Sequence, residues 1–148
     1  MREPFVLLVD DETPFLEITE KRLAARNVET LTATTGEECL EKLAAHETLD
    51  VVVLDMKMPG MDGIDVLKNI KKDYPLIEVI MLTGHGTMET AIKAMKKGAF
   101  DFLVKPFNID ELLFNIETAT QKKREHEEKI KIALKQEILS KYGPFYYT

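Results

Sequence analysis

Cysteine and long apolar runs are both scarce in this chain of 148 residues. The single cysteine, Cys39, excludes an internal disulfide bond and fits a reducing compartment. No apolar run approaches the ~20 residues that a membrane-spanning helix needs. Residues 1–4 lead into a short apolar run that ends in acids, which is not typical of a signal peptide. These absences predict a cytoplasmic protein without a membrane segment, and Cys39 is interpreted as a packing residue of a helix rather than a nucleophile.

Positive charge is also in deficit. The chain carries 20 Lys and Arg against 26 Asp and Glu, a formal net charge of -6. This balance argues against direct nucleic-acid binding, for which a basic surface is typical. It fits an ordinary soluble protein or a carboxylate-rich cation site. No Gly-x-x-x-x-Gly-Lys-Ser/Thr loop occurs, so the chain contains no ATPase segment of that type.

Five short β-forming runs alternate with five helical patterns. The runs cover residues 5–9, 29–33, 51–54, 78–82 and 102–104. The second run is more polar than the others and is expected near a sheet edge. Connections of helical length between successive strands impose parallel pairing and right-handed crossovers. The sequence therefore predicts an α/β fold, a doubly wound parallel sheet with helices on both faces.

Several residues mark where the helices should begin and end. Thr13 is expected to cap the first helix, with Pro14 at its first helical position. Thr35 precedes Glu38 at the spacing of a capping box. Thr87 is expected to cap the fourth helix. These positions predict helix boundaries that the structure can test.

Polar side chains follow four of the five predicted strands. Asp10 and Asp11 follow the first strand, Asp55 the third, Thr83 the fourth and Lys105 the fifth. The carboxyl ends of parallel strands meet at one edge, where open α/β sheets bind ligands. Each residue alone could be a helix cap or an ordinary loop residue. Their joint occurrence predicts a single shallow cleft.

Crowded carboxylates in such a cleft repel one another, and a hard divalent cation relieves this repulsion. Lys105 adds a fixed positive charge, and Thr83 adds a hydroxyl group. A cation, an ammonium and a hydroxyl around one carboxylate form a receptor for a phosphoryl group. Asp55 is then the expected nucleophile, with an aspartyl phosphate as the product.

The motifs together resemble the receiver domain of two-component response regulators over about residues 4 to 120. They are Asp10-Asp11, Asp55, the sequence Met-Pro-Gly-Met-Asp-Gly at 58–63, Thr83-Gly84 and Lys105-Pro106-Phe107. The resemblance implies a flavodoxin-like sheet with strand order 2-1-3-4-5. It also implies that the domain catalyses only its own phosphoryl transfer and slow self-dephosphorylation, and is otherwise not an enzyme.

The resemblance assigns an acceptor and a metal site. Asp55 is expected to accept a phosphoryl group from a phosphohistidine on a sensor histidine kinase or a phosphotransfer protein. Mg²⁺ is expected to be bound directly by Asp11 and Asp55 and chiefly through water by Asp10. The backbone carbonyl of Lys57 is the further expected ligand.

The resemblance also assigns a switch. Thr83 and Lys105 are expected to hold phosphoryl oxygens, and Phe102 occupies the position of the switch aromatic residue. Lys57 and His85 lie at positions that vary within the family and tune phosphate lifetime. We hypothesise that these two long side chains obstruct the hydrolytic water.

The segment 83–102 looks most like receivers attached to transcription-activating ATPases of the nitrogen-regulation type. In those regulators the last helix often extends into a dimerising linker. We therefore predict a receiver domain at 1–120 and, at 121–148, a C-terminal helical extension or linker with an aromatic tail. A homodimer could form through this helix or through the face of the fourth helix, fifth strand and fifth helix. A heptad seam from Ile109 is polar in its middle, so any coiled coil is weak or interrupted. The sequence leaves open whether the chain is a fragment or a stand-alone receiver.

Three rival functions fit the motifs less well. A haloacid-dehalogenase-type phosphatase requires a second Asp two positions after the nucleophile, where this chain has Lys57. A flavodoxin-like nucleotide or flavin module requires a phosphate-binding loop after the first strand, where Asp10, Asp11 and Glu12 repel anions. A dimerisation module without phosphorylation does not need the complete acid, Thr and Lys set.

Overall fold

The computed structural model describes residues 2–84 and 87–144. His85, assigned to lifetime tuning, and residues 145–148 of the predicted aromatic tail lie outside the described residues. The strands are β1 (Phe5–Val9), β2 (Glu29–Ala33), β3 (Val51–Asp55), β4 (Lys57–Met58), β5 (Met61–Asp62), β6 (Glu78–Thr83) and β7 (Asp101–Val104). The helices are α1 (Thr13–Ala24), α2 (Gly36–Ala45), α3 (Gly63–Asp73), α4 (Met88–Lys96) and α5 (Ile109–Tyr142).

Five parallel strands form the central sheet in the order β2-β1-β3-β6-β7. This order confirms the predicted flavodoxin-like topology, with the polar strand β2 at an edge. Every residue of β1, β3 and β6 is buried, because helices cover both faces of these inner strands. The two-residue strands β4 and β5 form a separate antiparallel pair that the sequence analysis treated as loop.

Alternation along the strands divides the core into two layers. Leu7 and Val52 point into the layer that also contains α2 and α3 residues, whereas Leu8 and Val53 point into the layer of α1 and α5. Cys39 is fully buried in the first layer. Burial raises the pKa of its thiol to about 12, so the thiolate needed for nucleophilic attack is suppressed. The interpretation of Cys39 as a packing residue is confirmed.

The helix starts agree with the sequence except at α1. Thr35 accepts from the backbone N–H of Glu38 at 3.0 Å, and Thr87 and Thr90 form a capping box. Helix α1, however, begins at Thr13 itself, and the capping position is held by Glu12 without a side-chain cap. The prediction of Thr13 as the cap is wrong by one residue. The backbone N–H of Glu12, the residue at the capping position, donates to the Asp10 carboxylate at 2.9 Å.

Helix α5 continues far beyond the sheet, as the predicted C-terminal helical extension required. Its first half packs Leu112, Ile116 and Ala119 against the body, so the early part of the heptad seam is used inside the fold. From residue 128 to residue 142 every side chain is exposed. Among the described residues, no helix is both long and apolar enough to cross a membrane.

Candidate functional site

Three carboxylates meet at the carboxyl edge of the sheet. Asp10 follows β1, and Asp55 is the last residue of β3, the neighbouring strand. One carboxylate oxygen each from Asp10, Asp11 and Asp55 lie within 4.8 Å of one another. Asp10 and Asp55 are buried, whereas Asp11 is exposed. The site is therefore a shallow acidic pocket that is open on the Asp11 side.

Backbone hydrogen bonds between neighbouring strands fix these side chains. The N–H of Asp10 donates to the carbonyl of Ala33 at 3.1 Å, which continues the β1–β2 ladder. The N–H of Met56 donates to the carbonyl of Leu82 at 2.7 Å, which holds the end of β3 against β6. Asp10 and Asp55 are thus positioned by the rigid sheet rather than by a free loop.

Gly63 allows the chain to fold back closely beneath the site. Its N–H donates to the carbonyl of Met56 at 3.0 Å. A Cβ atom at this position would lie 2.7 Å from the backbone oxygens of both Asp55 and Met56. Helix α3 can begin here only because residue 63 has no side chain. Asp62 caps that helix by accepting from the N–H of Ile64 at 2.9 Å.

Lys105 supplies the positive charge of the pocket. Its Nζ lies 2.5 Å from Oδ2 of Asp10 and 3.5 Å from Oδ1 of Asp55. Its backbone N–H donates to the carbonyl of Thr83 at 2.7 Å, and its peptide bond to Pro106 is cis. The ammonium also lies 4.1 Å from the centre of the Phe15 ring. Lys105 is therefore held at the site from both ends of its side chain.

Burial and neighbouring charges in the pocket shift the pKa values of Asp55 and Lys105. Burial, and secondarily the charge of Asp10, raises the pKa of Asp55 to about 6, although Lys105 acts in the opposite direction. Burial tends to lower the pKa of Lys105, but its hydrogen bond to Asp10 and the nearby carboxylates raise that pKa overall. Three carboxylates and one ammonium leave the pocket short of positive charge, as a cation site requires.

Thr83 lies beside this cluster at the end of β6. Asp55 pairs with Leu82, so Thr83 stands one residue beyond the acid on the adjacent strand. Thr83 is buried and pairs with Val104, and Phe102 pairs with Met81. Residues two apart on paired strands share a face, so Thr83 and Phe102 lie on the same side of the sheet. The half-buried Phe102 packs against the core layer of α2 and α3.

The structure brings together Asp10, Asp11, Asp55 and Lys105, as the sequence predicted, with Thr83 on the neighbouring strand. Lys57 lies at the rim, exposed in the β4–β5 pair opposite Asp62. Phe15 is a site residue that was not predicted from sequence. Its ring contacts the ammonium of Lys105 and meets the Phe107 ring edge-on at 6.0 Å. A large aromatic residue early in the helix after Asp10 and Asp11 was the available signal.

The oxygen donors suit a hard cation. Carboxylate oxygens at this separation match the ligands that Mg²⁺ and Ca²⁺ take in proteins, and the exposed side leaves room for water ligands. The same opening would let a substrate oxygen approach Asp55 beside Lys105. The pocket can therefore neutralise negative charge around a buried carboxylate nucleophile.

Comparison with known proteins identifies relatives of this chain. The family described as the response regulator receiver domain matches residues 6–117. The DNA-binding transcriptional regulator NtrC of Escherichia coli is 39% identical over 128 residues, which are 86% of this chain and 27% of that protein. The chain thus spans about a quarter of the length of this curated relative.

Solved structures show the same similarity. A response regulator receiver domain protein from Clostridium thermocellum is 40% identical with a TM-score of 0.78, covering 82% of this chain and 97% of that chain. NtrX from Brucella abortus, solved in complex with ADP, is 32% identical with a TM-score of 0.81, covering 88% of this chain and 30% of that chain.

Proposed function

The chain belongs to the response regulator receiver domain family of two-component systems, and on that basis we propose that Asp55 is its phosphoacceptor. The observation that carries the proposal is the geometry around this residue. Asp55 is a buried carboxylate at a strand end, with two further carboxylates within 4.8 Å and the ammonium of Lys105 at 3.5 Å. This arrangement leaves one nucleophile facing a pocket built to balance negative charge.

The proposed donor is a phosphohistidine on a sensor kinase or a phosphotransfer protein. An Oδ atom of Asp55 attacks phosphorus, a P–O bond forms and the P–N bond breaks. The electron pair of that bond leaves with the imidazole nitrogen, which takes up a proton. The Asp55 pKa of about 6 leaves the carboxylate mostly ionised at neutral pH and therefore nucleophilic.

The acidic pocket is proposed to bind Mg²⁺. Asp11 and Asp55 are the proposed direct ligands, with Asp10 chiefly through water and the backbone carbonyl of Lys57 as a further ligand. When bound, the cation neutralises the carboxylates and a phosphoryl oxygen. Asp10 also orients the ammonium of Lys105, to which it is hydrogen-bonded at 2.5 Å.

Thr83 and Lys105 are proposed to hold oxygens of the transferred phosphoryl group. The new charge draws the Thr83 hydroxyl toward Asp55, and Phe102, on the same face of the sheet, fills the space left behind. The face of α4, β7 and α5 then presents a changed surface. This is a population shift between two packings, driven by the contacts that differ between them.

The proposed role is that of a regulatory switch rather than a general catalyst. Lys57 stands two residues after Asp55, where a phosphatase of similar chemistry needs an acid. The domain is proposed to catalyse only its own phosphorylation and slow self-dephosphorylation. Lys57 and His85 are proposed to lengthen the lifetime of the phosphoryl group. A cytoplasmic location, beside the kinase's catalytic region, completes this proposal.

The experiment is incubation with acetyl phosphate and Mg²⁺ followed by intact-mass measurement. The protein should gain the mass of one phosphoryl group, and Asp55→Asn should gain none. Asp65→Asn, which changes an exposed carboxylate on α3, is the matched control and should react as the parent does. Absence of a labelled species at every Mg²⁺ concentration would overturn the proposal.

We also propose that residues 121–148 form an extension that pairs two copies of the chain. Large apolar side chains on its described part are exposed, among them Ile130, Leu134 and Ile138. Such side chains on an unsupported helix favour burial against a partner. The face of α4, β7 and α5 is the alternative, since Ile92 and Phe114 are also exposed there.

Sedimentation of two variants separates these surfaces. Leu134→Gln with Ile138→Gln should shift the dimer toward monomer, whereas Ile92→Gln with Phe114→Gln should leave it unchanged. The opposite pattern assigns the dimer to the α4–β7–α5 face. A monomer at all concentrations, with and without phosphorylation, excludes both surfaces.

A further inference from the structure

Two buried acids stand at the amino edge of the sheet, opposite the acidic pocket. Asp50 directly precedes β3 and is fully buried, and Glu78 is the first residue of β6 and is 4% exposed. The Asp50 carboxylate accepts from the N–H of Phe5 at 2.9 Å. Buried carboxylates of this kind require charged partners, because an unpaired buried charge is strongly destabilising.

Arg2 lies 3.5 Å from Asp50 and Lys71 lies 3.6 Å from Glu78. The other partners come from the C-terminal helix. Three consecutive basic residues, Lys122, Lys123 and Arg124, turn toward the amino edge. Lys123 is itself buried, and its Nζ lies 3.3 Å from Oδ1 of Asp50. Arg124 places Nη2 3.0 Å from Oδ2 of the same carboxylate. Lys122 places Nζ 3.4 Å from Oε2 of Glu78.

Backbone and ring contacts add to these ion pairs. The guanidinium of Arg124 donates to the carbonyls of Arg2 at 2.7 Å and Glu3 at 2.9 Å. The ammonium of Lys122 lies 5.5 Å from the centre of the Phe100 ring. The helix is thus tied to the segment before β1, to the starts of β3 and β6 and to the residue before β7.

The contact between α5 and the rest of the fold ends close to these ion pairs. Residues 121–148 are predicted from sequence as a helical extension or linker, yet Lys123 and Arg124 bind within the fold. From residue 128 the helix is exposed through residue 142. The direction of this exposed segment is therefore set where the three basic residues meet the two acids.

We propose that Lys122, Lys123 and Arg124 with Asp50 and Glu78 form an anchor that fixes the direction of the α5 extension relative to the receiver body. The geometry supports this because six contacts from three successive residues constrain the orientation of the helix. Asp50 directly precedes the strand that ends in Asp55, and Glu78 begins the strand that ends in Thr83. The anchor and the acidic pocket thus occupy opposite ends of β3 and β6, and the extension moves with the sheet as one body.

The test is residual dipolar coupling of backbone amides in the isotope-labelled full chain. In the parent, couplings from residues 128–142 should fit the same alignment tensor as those of the sheet. In Lys123→Met with Arg124→Met, the couplings of the extension should fall by more than half while those of β3 and β6 stay unchanged. Lys129→Met with Lys131→Met changes two exposed lysines of the same helix and should behave as the parent does.

A third variant keeps the test decisive if the first fails to fold. Adding Asp50→Asn to Lys123→Met and Arg124→Met also removes the buried charge that has lost its two helix partners, and leaves Lys122 with Glu78 as the remaining ion pair of the anchor. It should fold and still lose the couplings of the extension. Couplings of 128–142 that are unchanged in the folded variants would overturn the proposal. So would a parent whose extension already fails to share the tensor of the sheet.

Discussion

The ammonium of Lys105 lies 2.5 Å from Oδ2 of Asp10 but 3.5 Å from Oδ1 of Asp55. The ammonium of Lys105 therefore interacts more strongly with Asp10 than with Asp55, the proposed acceptor. A phosphoryl group on Asp55 would compete with Asp10 for this ammonium. A cation held directly by Asp11 and Asp55, and by Asp10 through water, would favour that exchange, because it would replace the positive charge that Asp10 loses.

Lys105→Met is expected to strengthen Mg²⁺ binding while slowing phosphorylation. The substitution removes the ammonium that competes for Asp10 and Asp55, so we expect Mg²⁺ affinity to rise several-fold, on the order of 1 kcal/mol. Calorimetric titration measures the affinity, and the acetyl phosphate reaction measures the rate. Lys57→Met, at the exposed rim, is the control for loss of one positive charge. Weaker Mg²⁺ binding in Lys105→Met than in Lys57→Met would contradict the charge competition.

Asp55→Asn is expected to stabilise the metal-free fold above pH 6. Burial and Asp10 raise the pKa of Asp55 from 3.8 to about 6, so the folded state holds its proton more tightly than the unfolded chain does. The stability from this group is complete below the unfolded pKa and is lost as pH rises through 6. The variant avoids that loss and should gain about 1–2 kcal/mol of unfolding free energy near pH 7.5.

Urea unfolding in the presence of a chelator measures this gain. It should shrink as the pH falls through 6 and disappear below about pH 3.8, where both states of the parent bind the proton. Asp65→Asn should show no comparable pH-dependent gain. A stabilisation by Asp55→Asn that is the same at both pH values would assign it to packing instead of charge.

Much of the fold was accessible from sequence because the signals are local. Each strand and the polar residue that follows it, such as the apolar run 51–54 and Asp55, lie within a few positions of each other in the sequence. Strand β2 was placed at an edge from its own composition. The cleft followed from parallel pairing alone, which aligns the carboxyl ends of all five strands.

The remaining features depend on partners that are distant in sequence. Lys123 lies in a polar stretch and yet is buried against Asp50. Its burial could not be predicted locally, because Asp50 is 73 positions away in the sequence. Lys105 lies 2.5 Å from Asp10 and 3.5 Å from Asp55, a difference that no sequence pattern encodes. Helix α1 begins one residue before its predicted start, and the residue at its capping position, Glu12, donates its N–H to Asp10. No local pattern carries this information.

Lys57→Ala with His85→Ala is expected to shorten the lifetime of the phosphorylated protein several-fold, on the order of 1 kcal/mol in the hydrolysis barrier. Lys57 is exposed two residues after Asp55, and we propose that its side chain obstructs the water that attacks the acyl phosphate. The lifetime is measured by following loss of the phosphoryl group by intact mass after removal of the donor. Lys68→Ala, an exposed lysine of α3, is the control. An unchanged lifetime would remove both residues from this role.

Thr83→Val is expected to separate phosphorylation from switching. Valine preserves the shape of this buried residue but cannot donate a hydrogen bond to a phosphoryl oxygen. The protein should still be phosphorylated, while amide chemical-shift changes in α4 and β7 on adding beryllium fluoride should shrink by more than half. Thr83→Ser, which restores the hydroxyl, should recover them. Full shift changes in Thr83→Val would show that the hydroxyl does not drive the switch.

The central claim, that Asp55 accepts the phosphoryl group, is tested most directly by locating the modification. Borohydride reduces an acyl phosphate to an alcohol, which converts a phosphorylated aspartate to homoserine. After phosphorylation, reduction and digestion, mass spectrometry should find homoserine at position 55, with Asp10 and Asp11 unchanged. Homoserine at position 10 or 11, or a phosphoryl group that resists reduction, would contradict the account.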